Sequence, residues 1–247
     1  MWNLFVSLFI NILLWIYNII GQNFGVAIIL FTILIRIVTW PLNAQQMKGA
    51  KAMQDLQNDK EWQAIQKKYA KDREKLAQEQ MRIYRERGIN PFGSCLPTLI
   101  QFPILIALYQ SIIRALAATP LDLLKLSQSI NPNFLDVANL IPLNSKFLWM
   151  NLGQPEPYYI LAIIVAATTY IQSKLTLPPA TNPNDQSAAM GQSMAITMPL
   201  MLGWFALTFP SGLSVYFITS NLLGIIQYAA QGKANWSNLL PKSMRKE

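Results

Sequence analysis

The sequence contains no histidine and a single cysteine, Cys95, among its 247 residues. Without histidine, neither a Cys/His metal site nor a Ser-His or Cys-His catalytic pair can form, and one cysteine excludes an intrachain disulfide. The phosphate-binding patterns GxGxxG and GxxxxGK followed by Ser or Thr are also missing, which argues against the common nucleotide sites. We therefore expect a protein that is not an enzyme and that holds no metal.

Charge is also scarce, because only 13% of the residues are charged and 52% are hydrophobic. A soluble domain usually has about a quarter charged residues. Residues 1–35 carry no charge, whereas residues 43–90 hold eleven of the twenty Lys and Arg residues. This clustering follows the positive-inside rule for cytoplasmic loops. It indicates a lipid bilayer as the surroundings of the chain and gives no sign of sequence-specific nucleic acid binding.

Long apolar segments predict an all-α membrane protein with five transmembrane helices, each able to cross about 30 Å of hydrocarbon. Loop charges place the loop 119–157 outside, and the loop 178–189 and the basic tail 231–247 in the cytoplasm. The N-terminus then lies outside and the C-terminus in the cytoplasm. The predicted spans are residues 23–42, 93–118, 158–177, 190–208 and 212–230.

Residues 1–22 are predicted to form an amphipathic helix that lies in the membrane interface. Its polar residues fall within a sector of about 80° at 100° per residue, and they are Asn3, Ser7, Asn11 and Asn18. A secretory signal peptide is the alternative, but it requires a cationic N-terminal region. This segment has no charge, so the interfacial helix is favoured.

Residues 43–92 are predicted to form a cytoplasmic helical hairpin. A short helix from about residue 43 precedes a second helix, which begins at the capping pair Asn58 and Glu61 and ends at Gly88. An apolar stripe of heptad-like spacing would join the two helices. Its residues are Trp62, Ile65, Tyr69, Leu76 and Ile83.

Arg36 lies inside the first predicted span, and none of the five spans contains Asp or Glu. A charge at membrane depth costs roughly 2.5–3.5 kcal/mol on insertion scales. On a continuous helix Arg36 would share one face with polar neighbours, which are Thr32, Thr39 and Asn43. This pattern favours a functional polar site. The alternative is an arginine that snorkels to cytoplasmic water about 9 Å away.

The cytoplasmic halves of all five predicted spans carry polar side chains, whereas the outer halves are nearly all apolar. Each such residue alone is commonly an interhelical hydrogen bond, worth about 0.6 kcal/mol. Together they predict a hydrophilic groove that opens toward the cytoplasm and ends within the membrane. The residues assigned to it are Arg36, Thr32, Thr39, Thr98, Gln101, Gln172 and Asn221.

A series of short motifs extends from about residue 20 to residue 230. They include GVAIIL (25–30) ahead of Arg36 and Pro41-Leu42, MQDLQ (53–57), GINP (88–91), GSCLP (93–97), QFPI (101–104), Leu108-Tyr109, PSGLSVY (210–216) and Ser220-Asn221. These motifs resemble those of the YidC/Oxa/Alb family of membrane protein insertases. The resemblance covers most of the chain.

The resemblance implies five spans around a positively charged groove, a mobile cytoplasmic hairpin and no cofactor. Arg36 matches the groove arginine of the family and Gln172 its polar position in the third span, while Phe217 stands in the groove where many members have tryptophan. The implied partners are nascent membrane proteins, the ribosome and, for members that work beside it, the Sec translocon. The implied location is the bacterial inner membrane, with the thylakoid membrane as an alternative. The sequence has neither the large periplasmic domain nor the lipobox cysteine of some members, which indicates a short form.

Three functions remain as hypotheses. The first is an insertase and chaperone that receives hydrophobic nascent chains at the cytoplasmic face and moves their polar segment through the groove. The second is a small-anion transporter or channel with Arg36 as its binding site. The third is an assembly subunit with no insertion activity of its own.

Overall fold

The computed structural model is largely helical, in agreement with the predicted all-α class. It describes residues 2–57, 59–69, 72–89, 96–116, 119–130, 143–176, 186–232 and 236. The helices are α1 (Trp2–Ile19), α2 (Phe24–Val38), α3 (Trp40–Gln57), α4 (Lys60–Lys68), α5 (Arg73–Glu86), α6 (Leu96–Ala115), α7 (Pro120–Ser129), α8 (Ile160–Thr176), α9 (Gln186–Thr208) and α10 (Ser211–Ala230). Strands β1 (Lys146–Phe147) and β2 (Met150–Asn151) form an antiparallel hairpin between α7 and α8.

The chain divides into two compact units, and each is described separately below. Unit 1 contains residues Met1–Val38, Ile100–Thr169 and Pro199–Gly224. Unit 2 contains Thr39–Leu99, Tyr170–Met198 and Ile225–Glu247. The long helices α6, α8, α9 and α10 therefore contribute residues to both units.

All five segments predicted as membrane spans contain a helix. Of the single helices in the described residues, α1 and α10 are long and apolar enough to cross a bilayer, and α2 with the Trp40–Met53 part of α3 would make a third. Helix α8 and the Ser193–Thr208 part of α9 are apolar but shorter. The helices are thus confirmed, while five crossings of the membrane remain a prediction.

Helix α2 ends inside the first predicted span, 23–42, whose bounds in the membrane stay a prediction. Helix α2 stops at Val38, and Thr39 starts α3 by accepting the N–H of Asn43 on its carbonyl oxygen, at 3.0 Å. Pro41 explains the break, because it has no N–H for the carbonyl of Ile37 and its ring would clash with that group. Thr39 therefore follows the end of α2 and does not belong to the helix that carries Arg36.

Two of the predicted loops contain regular secondary structure. The predicted loop 178–189 overlaps α9, which begins at Gln186 rather than at residue 190. The loop 119–157 contains α7, β1 and β2. Apolar periodicity indicates the buried part of a helix, whereas a helix that extends into polar residues, or a strand of two residues, gives no apolar signal.

Helix α1 belongs to the core of unit 1. Its buried face packs along α2, and Phe9 meets the ring of Phe31 edge-on at 5.1 Å between centroids. Of the predicted polar stripe, Asn11 donates to the carbonyl of Ser7 at 2.7 Å. Because α1 is also apolar and long enough to cross a bilayer, its position in the membrane interface remains a prediction.

The predicted hairpin in unit 2 is present but has three helices, α3, α4 and α5. The cap of α4 is Asp59, whose carboxylate accepts the N–H of Glu61 at 2.8 Å. The predicted capping residue, Asn58, lies outside the described residues. The end at Gly88 is confirmed, since φ is +63° there and the N–H of Ile89 donates to the carbonyl of Tyr84 at 2.8 Å, as in a Schellman motif.

An apolar cluster, rather than charge, holds the hairpin together. Leu56, Trp62, Ile83 and Tyr84 are buried against one another, with Met53, Ile65 and Ile89 packed on them. The predicted stripe residues Tyr69 and Leu76 are not in this cluster. Exposed ion pairs such as Arg87 to Asp59, at 2.8 Å, contribute little each.

The Asp59 carboxylate is stabilised in its ionised form. The N–H of Glu61 and, to a smaller extent, the guanidinium of Arg87 hold the pKa of Asp59 below its usual value of 3.8. A carboxyl with a lowered pKa stabilises the fold above its ordinary pKa and loses that contribution as the pH falls through the lowered value. The contribution is therefore complete at neutral pH.

Residues 144–156, here called the cap segment, contact both the C-terminal end of α1 and the N-terminal end of α10 in unit 1. The N–H of Asn144 donates to the hydroxyl of Tyr17 at 3.0 Å. The N–H of Gly212 donates to the carbonyl of Leu152 at 3.0 Å. These contacts join the ends of α1 and α10 that lie away from the C-terminus of α2, where Arg36 is found.

Glu156 is the buried carboxylate of the cap segment, with a side chain only 3% exposed. It accepts the indole N–H of Trp149 and the backbone N–H of Leu161, both at 2.9 Å. Leu161 is in the first turn of α8, where backbone N–H groups lack intrahelical partners and a negative charge is favourable. Glu156 thus joins the β-hairpin to the start of α8.

We expect Glu156→Ala to lower the free energy of unfolding by about 1–3 kcal/mol, because the buried N–H of Leu161 loses its acceptor. Thermal unfolding in detergent and amide exchange at Leu161 measure the effect. Glu156→Gln is the matched control, since its amide oxygen can still accept one of the two hydrogen bonds. Equal stabilities of the two variants would contradict this role.

Candidate functional site

Ser220 of α10 binds the guanidinium of Arg36 through three hydrogen bonds. Its Nη2 donates to the backbone carbonyl of Ser220 at 2.6 Å and to the hydroxyl at 2.8 Å, and its Nε donates to the same hydroxyl at 3.2 Å. Arg36 is half-buried and Ser220 is buried. These contacts fix the orientation of the guanidinium without neutralising its charge.

Two further polar residues extend this contact within unit 1. Gln101 of α6 donates from its amide to the hydroxyl of Tyr216 on α10. Tyr216 lies one turn before Ser220 on the same face of α10. Arg36, Ser220, Tyr216 and Gln101 therefore form one polar network that connects α2, α10 and α6.

The structure places Thr32 differently from the predicted groove lining. Its side chain is 0% exposed, and its hydroxyl donates to the carbonyl of Ile28 in the same helix at 2.7 Å. Thr32 is one turn before Arg36, so it packs beside the network instead of lining an open surface.

Asn221 also has a packing role in the structure. Its side-chain amide donates to the hydroxyls of Thr168 at 3.1 Å and Thr169 at 2.8 Å. These bonds join α10 to α8, as interhelical amides commonly do. Phe217 is half-buried and packs beside Ala162, Val165 and Ala206, so it borders the same contact between α8 and α10.

Three predicted groove residues belong to unit 2. Thr39 accepts a hydrogen bond from the Asn43 amide at 3.4 Å at the start of α3. Gln172 is half-buried in the C-terminal half of α8. Thr98 is in the first turn of α6, and its side chain lies outside the described residues. Their place in the groove remains a prediction.

Neither Ser220 nor Tyr216 is among the residues assigned to the predicted groove. They lie four residues apart, on one face of α10, and both are buried although polar. This spacing was the available signal, but the backbone carbonyl of Ser220 as an acceptor for Arg36 could not be read from a side-chain pattern.

The arrangement suits electrostatic binding rather than covalent chemistry. A fixed guanidinium at reduced dielectric attracts a carboxylate more strongly than one in water, and arginine has a planar fork of donors that matches carboxylates. Within the described residues no group of three or more His, Cys, Asp or Glu side chains could hold a metal ion.

The chain is similar to known proteins over most of its length. Residues 15–235 match the family described as 60Kd inner membrane protein. The membrane protein insertase YidC 2 of Bacillus anthracis is 37% identical over 231 residues, which cover 92% of this chain and 79% of that protein. The membrane protein insertase MisCA of Bacillus subtilis is 36% identical over 221 residues, covering 88% and 73%.

A solved structure extends the likeness to the fold. The crystal structure of an active YidC insertase with its first transmembrane domain resolved superposes with a TM-score of 0.55 and 27% identity. The match covers 88% of this chain and 43% of that one. The predicted resemblance is thereby confirmed, and the chain belongs to the 60Kd inner membrane protein family, which includes the YidC and MisCA membrane protein insertases.

Proposed function

We propose that this chain is a membrane protein insertase in which Arg36 receives acidic groups of the polar segment of a substrate. The relatives supply the reaction class, and the observation that carries the assignment is the guanidinium of Arg36 fixed on Ser220. A cation in a largely apolar helix is costly, and an electrostatic role would explain why the sequence retains it.

In this proposal α2, α6, α8, α9 and α10 cross the bacterial inner membrane, with the N-terminus outside and the C-terminus in the cytoplasm. The basic residues of the α3–α5 hairpin and of the tail support this orientation through the positive-inside rule. The groove opens to the cytoplasm, and Arg36 and Gln101 lie within it. No cofactor takes part.

The proposed mechanism moves a substrate in two parts. Its polar terminal segment enters the groove, where Arg36 offsets part of the cost of removing a carboxylate from water. Its apolar helix meanwhile passes into lipid, which supplies the main driving force. The membrane potential adds about 2.3 kcal/mol per charge per 100 mV. Ribosomes deliver the nascent chain, and cooperation with the Sec translocon is part of the proposal.

Reconstitution of the purified protein in liposomes tests the proposal. A single-span substrate with an acidic N-terminal tail is synthesised in the presence of the vesicles, and protease protection of the tail measures insertion. We expect protection above that of protein-free vesicles. An inactive but correctly folded protein would instead favour the assembly subunit.

The small-anion transporter is tested in the same vesicles. Chloride or phosphate efflux that requires Arg36 would favour a transporter over an insertase. We expect no such flux, because transporters coupled to protons rely on ionisable groups within the membrane, and the five helices contain no Asp or Glu.

A further inference from the structure

The loop of the β-hairpin carries a large apolar residue in a conformation that favours glycine. Phe147 pairs with Met150, so Leu148 and Trp149 are the two loop residues. Leu148 has φ +53° and is 74% exposed. Two-residue loops with positive φ at the first position usually place glycine there, and a bulky residue with positive φ is strained.

A second strained residue with a large side chain lies nearby in the chain. Tyr159 has φ +62° and is 62% exposed, and Tyr158 before it is 66% exposed. These tyrosines directly precede α8. Strained backbone that presents exposed apolar and aromatic side chains has no benefit in water, since both the strain and the exposure are unfavourable.

Glu156 joins the hairpin loop to the residues that precede α8. Its carboxylate accepts the indole N–H of Trp149 with one oxygen and the N–H of Leu161 with the other. The exposed side chains of the hairpin loop and of the residues before α8 therefore belong to one connected surface. We name it the aromatic tip; it consists of Leu148, Trp149, Tyr158 and Tyr159.

The exposed apolar side of α8 continues from the aromatic tip. Ile160 is exposed, and Ile163, on the same side of the helix, is 68% exposed. An exposed apolar side on a helix of a membrane protein is satisfied by lipid. Tryptophan and tyrosine are enriched where the hydrocarbon ends, because their rings are apolar and their N–H or O–H groups bind water or headgroups.

We propose that the aromatic tip is buried in the headgroup region of the extracytoplasmic leaflet and binds phospholipid there. This inference rests on the part of the proposed function in which α8 crosses the membrane. Leu148 enters the upper acyl region, while Trp149 and the two tyrosines lie among the headgroups. The contact anchors the cap segment, and through it the ends of α1 and α10, to the lipid surface.

Spin labelling in liposomes of phosphatidylethanolamine and phosphatidylglycerol tests the proposal. Leu148→Cys in a Cys95→Ser background carries a nitroxide at the loop, and Asn151→Cys, an exposed polar position in the same hairpin, is the matched control. We expect collisions with a water-soluble nickel complex to be several-fold less frequent at 148 than at 151. Collisions with oxygen should be more frequent at 148.

Equal exposure of both labels to the nickel complex would overturn the proposal. The insertion assay run on the same labelled proteins separates this outcome from failure of the insertase assignment. Insertion with a water-exposed label at 148 would reject the aromatic tip alone. A lipid-buried label in a folded protein that does not insert substrate would support the tip and reject the insertase.

Discussion

Arg36→Ala should reduce insertion of a substrate with an acidic tail by about 10- to 100-fold. A hydrogen bond to a charged group is worth about 1.5–3 kcal/mol, and 1.4 kcal/mol corresponds to a factor of ten. The substitution removes the cation, and it leaves no buried charge without a partner because Ser220 is uncharged. We therefore expect the loss of insertion activity to exceed the loss of stability. Protease protection of the substrate tail, with thermal unfolding of the variant alongside, measures both quantities.

The substrate and a second arginine supply the controls. A substrate whose tail acids are changed to amides should insert equally well with either protein, because it gains nothing from the cation. Arg114→Ala is the matched variant, since Arg114 is also half-buried in a largely apolar helix but does not belong to the network. Arg36→Lys should fall between wild type and Arg36→Ala, because lysine keeps the charge but not the fork. Unimpaired insertion by Arg36→Ala would remove the central role of this residue.

Gly25→Ala should destabilise unit 1 by about 1–3 kcal/mol, the usual cost of overpacking a core. A Cβ at Gly25 would overlap the aromatic ring of Phe147 on β1, at its Cγ. The clash involves the base of the aromatic ring, so Phe147 would have to leave its place on α2. Thermal unfolding in detergent should show a lower midpoint.

Gly49→Ala is the matched control for Gly25→Ala. Gly49 is inside α3, and a Cβ there would meet nothing within 4 Å. Alanine should therefore stabilise that helix by up to about 1 kcal/mol. Combining Gly25→Ala with Phe147→Ala should cost less than the sum of the single changes, because the clash disappears. Strict additivity would show that the two residues are not in contact.

The helical character of the chain could be predicted because apolar runs of membrane length have few other solutions. The stop at Gly88 was also predictable, since only a residue that accepts positive φ suits that position. The start of α4 was missed by one residue, because Asn58 and Asp59 are equally good caps. Helix α9 begins at Gln186, before the predicted span 190–208, because a helix can extend into polar residues that hydropathy does not mark.

Some residues of the polar site could also be predicted from the sequence, and others could not. Arg36 could be recognised from the sequence around it, since a cation among apolar residues is energetically costly. Thr32 and Asn221 were assigned to an open groove, whereas one bonds to its own helix and the other to α8. A side-chain pattern gives the face of a helix but not the partner on the neighbouring helix. Glu156 lies in the predicted external loop 119–157, and its burial at 3% exposure depends on contacts that the charge of a loop does not reveal.

The shortness of α2 has a consequence for the lipid around the protein. At 1.5 Å per residue its 15 residues measure about 22 Å, and the 17 residues of α8 about 26 Å, against about 30 Å of hydrocarbon. If both helices cross the membrane as proposed, the acyl chains beside them must shorten or the helix ends must draw headgroups inward. Bilayers of shorter or more disordered acyl chains should then surround this protein with less elastic strain than thick, ordered ones.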